Sequence, residues 1–248
     1  MSDKKYEFVP GDEKTIAPGR TVKRIRLLVA IAAFGLPSGS LGGYIESKEC
    51  LSQSGNAWVS GDAQVFGDAR VFGDAQVFGD AQVFGDAWVF GDAQVFGNAR
   101  VSGNAQVFGD AQVSGDAQVF GDAWVFGDAQ VFGNARVSGN ARVSGDAWVS
   151  GDAQVFGDAQ VFGDARVFGD AQVFGNASIV WVSKVGRDNG TLTVFTGKDG
   201  DLIATRGCFI GTIDEFLAQS EKVHDDRTHL EYRMLIEVAH SRITRSAS

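Results

Sequence analysis

Between residues 55 and 174, apolar and polar positions follow a period of six without a break. Twenty consecutive hexads have the form Gly-Asx-Ala-x-Val-y, where x is Gln, Arg or Trp and y is Phe or Ser. The Gly, Ala and Val positions never vary. Each hexad reads as a short strand, Ala-x-Val-y, closed by Gly-Asp or Gly-Asn, where residues that tolerate positive φ let the chain bend. Side chains alternate along a strand, so Ala and Val share one face while x and y share the other. A fixed short period predicts a solenoid in which each unit stacks on its neighbours.

The chemistry of x decides which face is inside. Turned inward, it would bury Arg70, Arg100, Arg136, Arg142 and Arg166 together with the Gln amides. Each unpaired amide would cost about 1–3 kcal/mol, and the charges more. Ala and Val are therefore the expected interior, a constant small-plus-medium pair suited to close packing in a narrow space. The y position, fourteen times Phe and six times Ser, then points outward at or near a corner. A longer repeat lies over the hexads. Trp88–Ala123 and Trp124–Ala159 differ only at 106/142, 108/144 and 112/148, and their 36 residues make two coils of eighteen or three of twelve.

The hexads resemble the hexapeptide-repeat superfamily of left-handed parallel β-helices. Its inward aliphatic residue, with a small inward residue two positions earlier, matches Val and Ala here. The resemblance implies three hexads per triangular coil, eighteen residues, and a left-handed path, whereas general crossover chirality would favour a right-handed one. At a strand spacing of about 4.8 Å, roughly 6.7 coils make a rod about 32 Å long. The chain departs from the family in one respect: Phe or Ser directly follows the aliphatic residue, where the family often has Gly.

Three regions follow: an N-terminal cap and lead-in over 1–54, the solenoid over 55–177, and a C-terminal α+β cap over 178–248. Gly39–Glu46, Leu51-Ser52 and Ser54–Ala57, with Tyr6–Phe8 and Thr21–Ile31 upstream, resemble the corresponding segment of uncharacterised bacterial and prophage hexapeptide-repeat proteins, a group that implies no activity. In the C-terminal region Ile179–Val185, Thr191–Thr196 and Leu202–Ile210 alternate as strands, with turns at Asp188-Asn189-Gly190 and Lys198–Asp201. Thr212 is placed to cap a helix running to about His224. A second helix is expected over about His229–Ile243, with Leu230, Met234, Ile236 or Leu235, and Val238 as its apolar side. The predicted order of this cap is β-β-β-α-α.

The apolar run Leu27–Leu36 is too short to span a bilayer and starts late for a signal peptide, so it reads as a buried strand or helix of the N-terminal cap. Net charge is −9, and fifteen Asp against five Arg place the acidity in residues 55–177. Direct binding to a nucleic-acid backbone is disfavoured by that sign. Cys50 and Cys208 form no redox or metal motif, which fits a reducing cytoplasm, here of a bacterial or phage-infected cell, with no membrane association.

Known enzymes of the resembled family are acyltransferases with a His base and carbonic anhydrases with three His on zinc. The hexads contain no His; His224, His229 and His240 all lie in the C-terminal region. His224, His229 and Cys208 match no strong metal spacing. No catalytic residue, metal site or cofactor is assigned, and the expected protein is not an enzyme. The Asp residues read as solvated turn positions.

Sorted by eighteen, one outward face carries Arg70, Trp88, Gln106, Trp124, Arg142 and Gln160, and the adjoining column carries Phe72, Phe90, Phe108, Phe126, Ser144 and Phe162. Trp and Arg are enriched at interaction hot spots, and a contiguous apolar ridge marks a partner surface. The duplication alone would also copy Trp88 onto Trp124, and rings along a corner would also cover backbone with no partner. The candidate surface is Arg70, Trp88, Trp124, Arg142, Phe72, Phe90, Phe108, Phe126 and Phe162. The leading expectation is a structural or interaction protein that forms a homo-oligomer through these columns. The alternative is a phage-type binding inhibitor, an acidic nucleic-acid mimic or a sequestering protein for a small ligand, and an acyltransferase relative ranks below both.

Overall fold

Within each hexad a two- or three-residue rung, such as Gln94–Val95, pairs in parallel with the rung eighteen residues on: Gln94 lies beside Gln112 and Val95 beside Val113. The coil is therefore eighteen residues, not twelve. The computed structural model describes residues 4–17, 19–175 and 178–244. Asn176 and Ala177 of the last partial hexad lie outside the described residues. Successive rungs pass in turn through three parallel sheets, named here by their first rung residue: the Trp58 sheet, the Gln64 sheet and the Arg70 sheet. Together they make a solenoid of about seven turns.

A hexad bonds forward to the next coil through up to three backbone N–H groups. Asp80 donates to Gly97 O at 2.9 Å, Gln82 to Ala99 O at 2.9 Å and Phe84 to Val101 O at 3.0 Å. Every Ala and Val of the twenty hexads is at most 1% exposed, so they form the interior expected of them. The bend belongs to Gly alone. Gly103, for example, has φ 67°, and a Cβ there would meet Gly121 N at 3.0 Å. The Asx residues of the described hexads stay out of the positive-φ region, contrary to the expectation that they share it.

Because these bonds point forward, the first coil presents carbonyls towards the N-terminal end, and the last presents N–H groups, together with outward carbonyls such as that of Arg166, towards the C-terminal end. Each end is closed by groups of matching polarity. Lys5 Nζ donates to Ala57 O at 2.8 Å and to Gly55 O at 3.4 Å. Strands β1 (Tyr6–Ala17), β2 (Arg20–Leu27) and β3 (Leu41–Ile45) extend the Gln64 sheet to ten strands, β3 pairing in parallel with Gln64–Val65. Lys14 bonds to Asp62 at 2.8 Å and Arg24 to Asp62 at 3.3 Å, clipping the hairpin to the first coil. Trp58 occupies an outward position but lies buried under this cap, edge-on to Tyr6.

Leu27–Leu36 corrects the expectation of a buried element. Leu27 ends β2 and Ile31 is buried, but Leu28 and Val29 are exposed ahead of a 3-10 turn at Ala32–Phe34. The chain turns sharply here, bridging Ile31 to Leu36, and packs Phe34 and Leu36 only half-buried against the core.

At the other end, the N–H of Arg166 donates to Thr193 Oγ1 at 3.2 Å, and Thr205 Oγ1 donates to Arg166 O at 3.1 Å. These two buried hydroxyls stand in for the next coil. They project from an antiparallel cap sheet of four strands, Ile179–Val185, Gly190–Thr196, Leu202–Arg206 and Phe209–Thr212. The predicted third strand is split in two by a tight turn at Gly207, φ 59°, so the order is β-β-β-β-α-α. Helix α1 (Ile213–Val223) starts at Thr212 with a capping box to Glu215. Helix α2 spans Asp226–Thr244, and its buried side is Thr228, Tyr232, Ile236, Ala239 and Ile243. Of the apolar side expected from sequence only Ile236 is buried, while Leu230, Met234 and Val238 face outward. The buried face runs through Tyr232, edge-on to Phe216, two positions along from Leu230.

Candidate interaction surface

The Arg70 sheet brings the predicted outward residues into one row. Arg70 pairs with Trp88, Trp88 with Gln106, Gln106 with Trp124 and Trp124 with Arg142, each one rung apart. Beside the row runs the Phe column. Phe72 and Phe90 stack at 4.8 Å, Phe90 and Phe108 at 4.8 Å, and Phe108 and Phe126 at 4.9 Å, all within 5° of parallel. The ring spacing equals the strand spacing because each ring sits at the same place on successive rungs.

The Trp residues lock row and column together. Phe72 meets Trp88 edge-on at 6.0 Å, and Phe108 meets Trp124 edge-on at 6.2 Å. The Arg70 guanidinium lies over the Trp88 ring at 5.9 Å and that of Arg142 over Trp124 at 4.9 Å, cation–π contacts that hold the long side chains against the sheet. The rings of the four-Phe ladder are half-buried, and Trp88 remains 39% exposed. The Phe side chains are thus neither core nor free: they cover the ends of the rungs and leave one side to solvent.

Eight of the nine predicted residues belong to this patch. Phe162 does not join the ladder, because Ser144 interrupts it. Its ring meets Trp181 of the C-terminal cap at 4.3 Å instead. In the other two columns the stacks stop at two rings, Phe66–Phe84 and Phe78–Phe96, where Ser102 and Ser114 follow. A further set, outside the candidate surface, lies on a second face. On the Trp58 sheet, Arg166 lies over Trp148 at 5.0 Å and Phe132 meets Trp148 edge-on at 6.1 Å. The signal was present, since sorting by eighteen places Trp148 directly before Arg166.

The row is flanked on its other side by the turn column Asp68, Asp86, Asn104, Asp122, Asn140 and Asp158. Asn104 Nδ2 donates to Asp122 Oδ1 at 2.8 Å, and Asn140 to Asp158 at 2.9 Å. An open cleft of about 350 Å³ lies between row and column, lined by Asp68, Arg70, Asp86, Trp88, Asn104 and Gln106. Away from this patch, Cys208 and His224 line a separate cleft near α1, while His229 Nδ1 lies 3.3 Å from Ser220 Oγ. Among the described residues no group of three or more His, Cys, Asp or Glu is placed to hold a metal ion. No helix of the described residues is long and apolar enough to cross a membrane.

Five stretches of the chain, 63–79, 93–109, 129–142, 135–151 and 159–175, match the family model described as the YdcK beta solenoid repeat. No curated protein matches the chain. Every matched stretch falls within the coils, and the chain is a β-solenoid repeat protein, similar in those stretches to the YdcK repeat.

Proposed function

We propose that this protein is a non-enzymatic structural or interaction protein, a left-handed, triangular β-helical rod of the hexapeptide-repeat kind, of bacterial or prophage origin, acting in the cytoplasm. It self-associates through the outward Phe and Trp columns of the Arg70 sheet. The observation that carries this reading is the unbroken ladder Phe72–Phe90–Phe108–Phe126 with Trp88 and Trp124 set edge-on against it. Aromatic rings held rigid by stacking bury apolar area at little entropic cost, which is what an interface anchor needs. Sedimentation velocity over a range of concentrations tests it: an oligomer supports the reading, and a clean monomer at high concentration overturns it.

A second reading rests on charge. The turn column Asp74, Asp92, Asp110, Asp128, Asp146 and Asp164 has no Asn to interrupt it, so six carboxylates repeat at about 4.8 Å along one edge of the rod. Such an edge would attract a basic partner, as an acidic binding inhibitor does. Recovery of a basic protein on the immobilised rod, lost when Asp110 and Asp128 are changed to Asn, would favour it over self-association. An acyltransferase relative would need a base, and the hexads offer no His; failure to bind acyl-CoA would close that possibility.

A further inference from the structure

The outward row of the Arg70 sheet reads the same in both directions: Arg70, Trp88, Gln106, Trp124, Arg142. Each Trp has Gln106 on its inner side and an Arg stacked over it from its outer side. We infer that this face is the contact between two copies of the chain, packed face to face with antiparallel rods about a twofold axis that passes through Gln106. The inference deepens the self-association proposed above and rests on it.

Two flat sheet faces pack by a twofold axis lying between them, and only two directions keep the rods aligned. With the axis along the rods, the copies run parallel, and left and right flanks exchange. The Phe ladder of one copy would then lie on the carboxylate column Asp68, Asp86 and Asp122 of the other, which desolvates charge against apolar rings. With the axis along the strands, the copies run antiparallel, and each flank meets its own kind. Phe108 then meets Phe108 of the second copy, and Phe90 meets its Phe126. Asn104 faces Asn104 across the axis. Trp88 lies opposite Trp124, and Arg142 of the second copy lies opposite Arg70, with Asp68 in the adjoining column to offset the two like charges. Asp122, which faces Asp86 in this arrangement, already accepts a hydrogen bond from Asn104.

Area selects the register. Six rungs at about 4.8 Å give a face about 29 Å long and, at four extended residues, roughly 13 Å wide, on the order of 400 Å² before side-chain relief. Two such faces sum to roughly 800 Å², below the about 1,200 Å² of a standard specific interface, so nearly the whole face must be covered and the relief of its Trp, Arg and Phe side chains must supply the rest. Centring on Gln106 overlaps five of the six rungs while keeping every Trp opposite a Trp. A shift by one rung would set Trp against Arg or Gln throughout.

Cysteine cross-linking tests the axis: an axis along the strands brings only Gln106 of the row onto itself, whereas an axis along the rods would bring every row residue onto itself, so Arg70→Cys is expected to stay uncross-linked in the antiparallel dimer. In a Cys208→Ser background, Gln106→Cys is expected to yield a disulfide-linked dimer on mild oxidation. Gln94→Cys and Gln118→Cys, on the outward positions of the other two sheets, are expected to stay uncross-linked. Trp88→Ala with Trp124→Ala is expected to weaken the dimer by at least about thirty-fold in sedimentation. A dimer that cross-links through Gln94→Cys or Gln118→Cys but not Gln106→Cys overturns this interface and leaves self-association standing. A monomer at all concentrations overturns both.

Discussion

Phe90 and Phe108 stand one coil apart with ring centroids 4.8 Å from each other and planes 5° from parallel, while Val89 and Val107 beside them are wholly buried. The two side chains of one rung therefore do different work. Val107→Ala removes methyl groups from a closed interior and is expected to cost about 2 kcal/mol, transfer plus cavity. Phe126→Ser removes the end ring of the half-exposed stack and its one ring contact, worth about 0.5–1.5 kcal/mol, at a position where six other hexads already carry Ser. Urea midpoints of the two variants check the order; a costlier Phe126→Ser would mean that the ring is core.

Asn104 and Asn140 act as spacers in an acidic column, each donating to the Asp of the next coil. Asn104→Asp would turn that donor into a third consecutive carboxylate between Asp86 and Asp122. The expected loss is roughly 0.2–1 kcal/mol at low ionic strength. It should shrink in 1 M salt, where the screening length falls to about 3 Å. Thermal melts of both proteins at two salt concentrations read this out, and a loss that salt leaves unchanged would point to shape rather than charge.

Gly103 couples two requirements at one atom. Its φ of 67° and the 3.0 Å approach of Gly121 N to any Cβ both exclude a side chain. Gly103→Ala is expected to cost more than about 1–2 kcal/mol, the left-handed penalty alone. Asp116→Ala, in the neighbouring turn position with ordinary φ, should cost much less than that in the same chemical denaturation series.

The N-terminal cap carries a pH signature. Burial pushes the Lys5 ammonium down to about 8 from the ordinary 10.5. Between those values the unfolded chain binds the more protons, so Lys5 makes stability rise as pH rises through that window. Burial pushes the Tyr6 phenol up from the ordinary 10, so above pH 10 the folded chain binds the more protons and stability falls. The expected profile climbs from pH 8 to 10 and then declines. Urea midpoints at pH 8, 9 and 10 should lose the climb in Lys5→Met and keep it in a distant surface variant such as Lys222→Met.

At the C-terminal end, Thr193 and Thr205 replace a missing coil for Arg166. Thr193→Val with Thr205→Val keeps the shape and removes both partners of a buried backbone group. The expected cost is about 1–3 kcal/mol for each group left unsatisfied. Faster hydrogen exchange at the Arg166 amide, with interior coils unchanged, would locate the effect at this end.

By itself, the sequence determined the interior, the outward row and the Phe column, because a strict period of six with Arg allowed at x leaves one way to fill a narrow solenoid. It left eighteen and twelve residues per coil equally open, since both divide a block of 36, and only the pairing of Gln94 with Gln112 chose between them. Sorting by eighteen places eight of the nine candidate residues side by side, while the contact of Phe162 with Trp181 could not be read from it, because Trp181 comes from outside the period. The two ends were hardest to read. There the periodic signal stops, and which side of α2 is buried depends on contacts with the cap sheet and α1 that no local pattern contains. The closure of the rod by Lys5, Thr193 and Thr205 was likewise decided only in three dimensions. Those residues answer backbone groups some 27 to 52 positions away, and the unpaired carbonyls and N–H groups that call for them exist only once the coils have stacked.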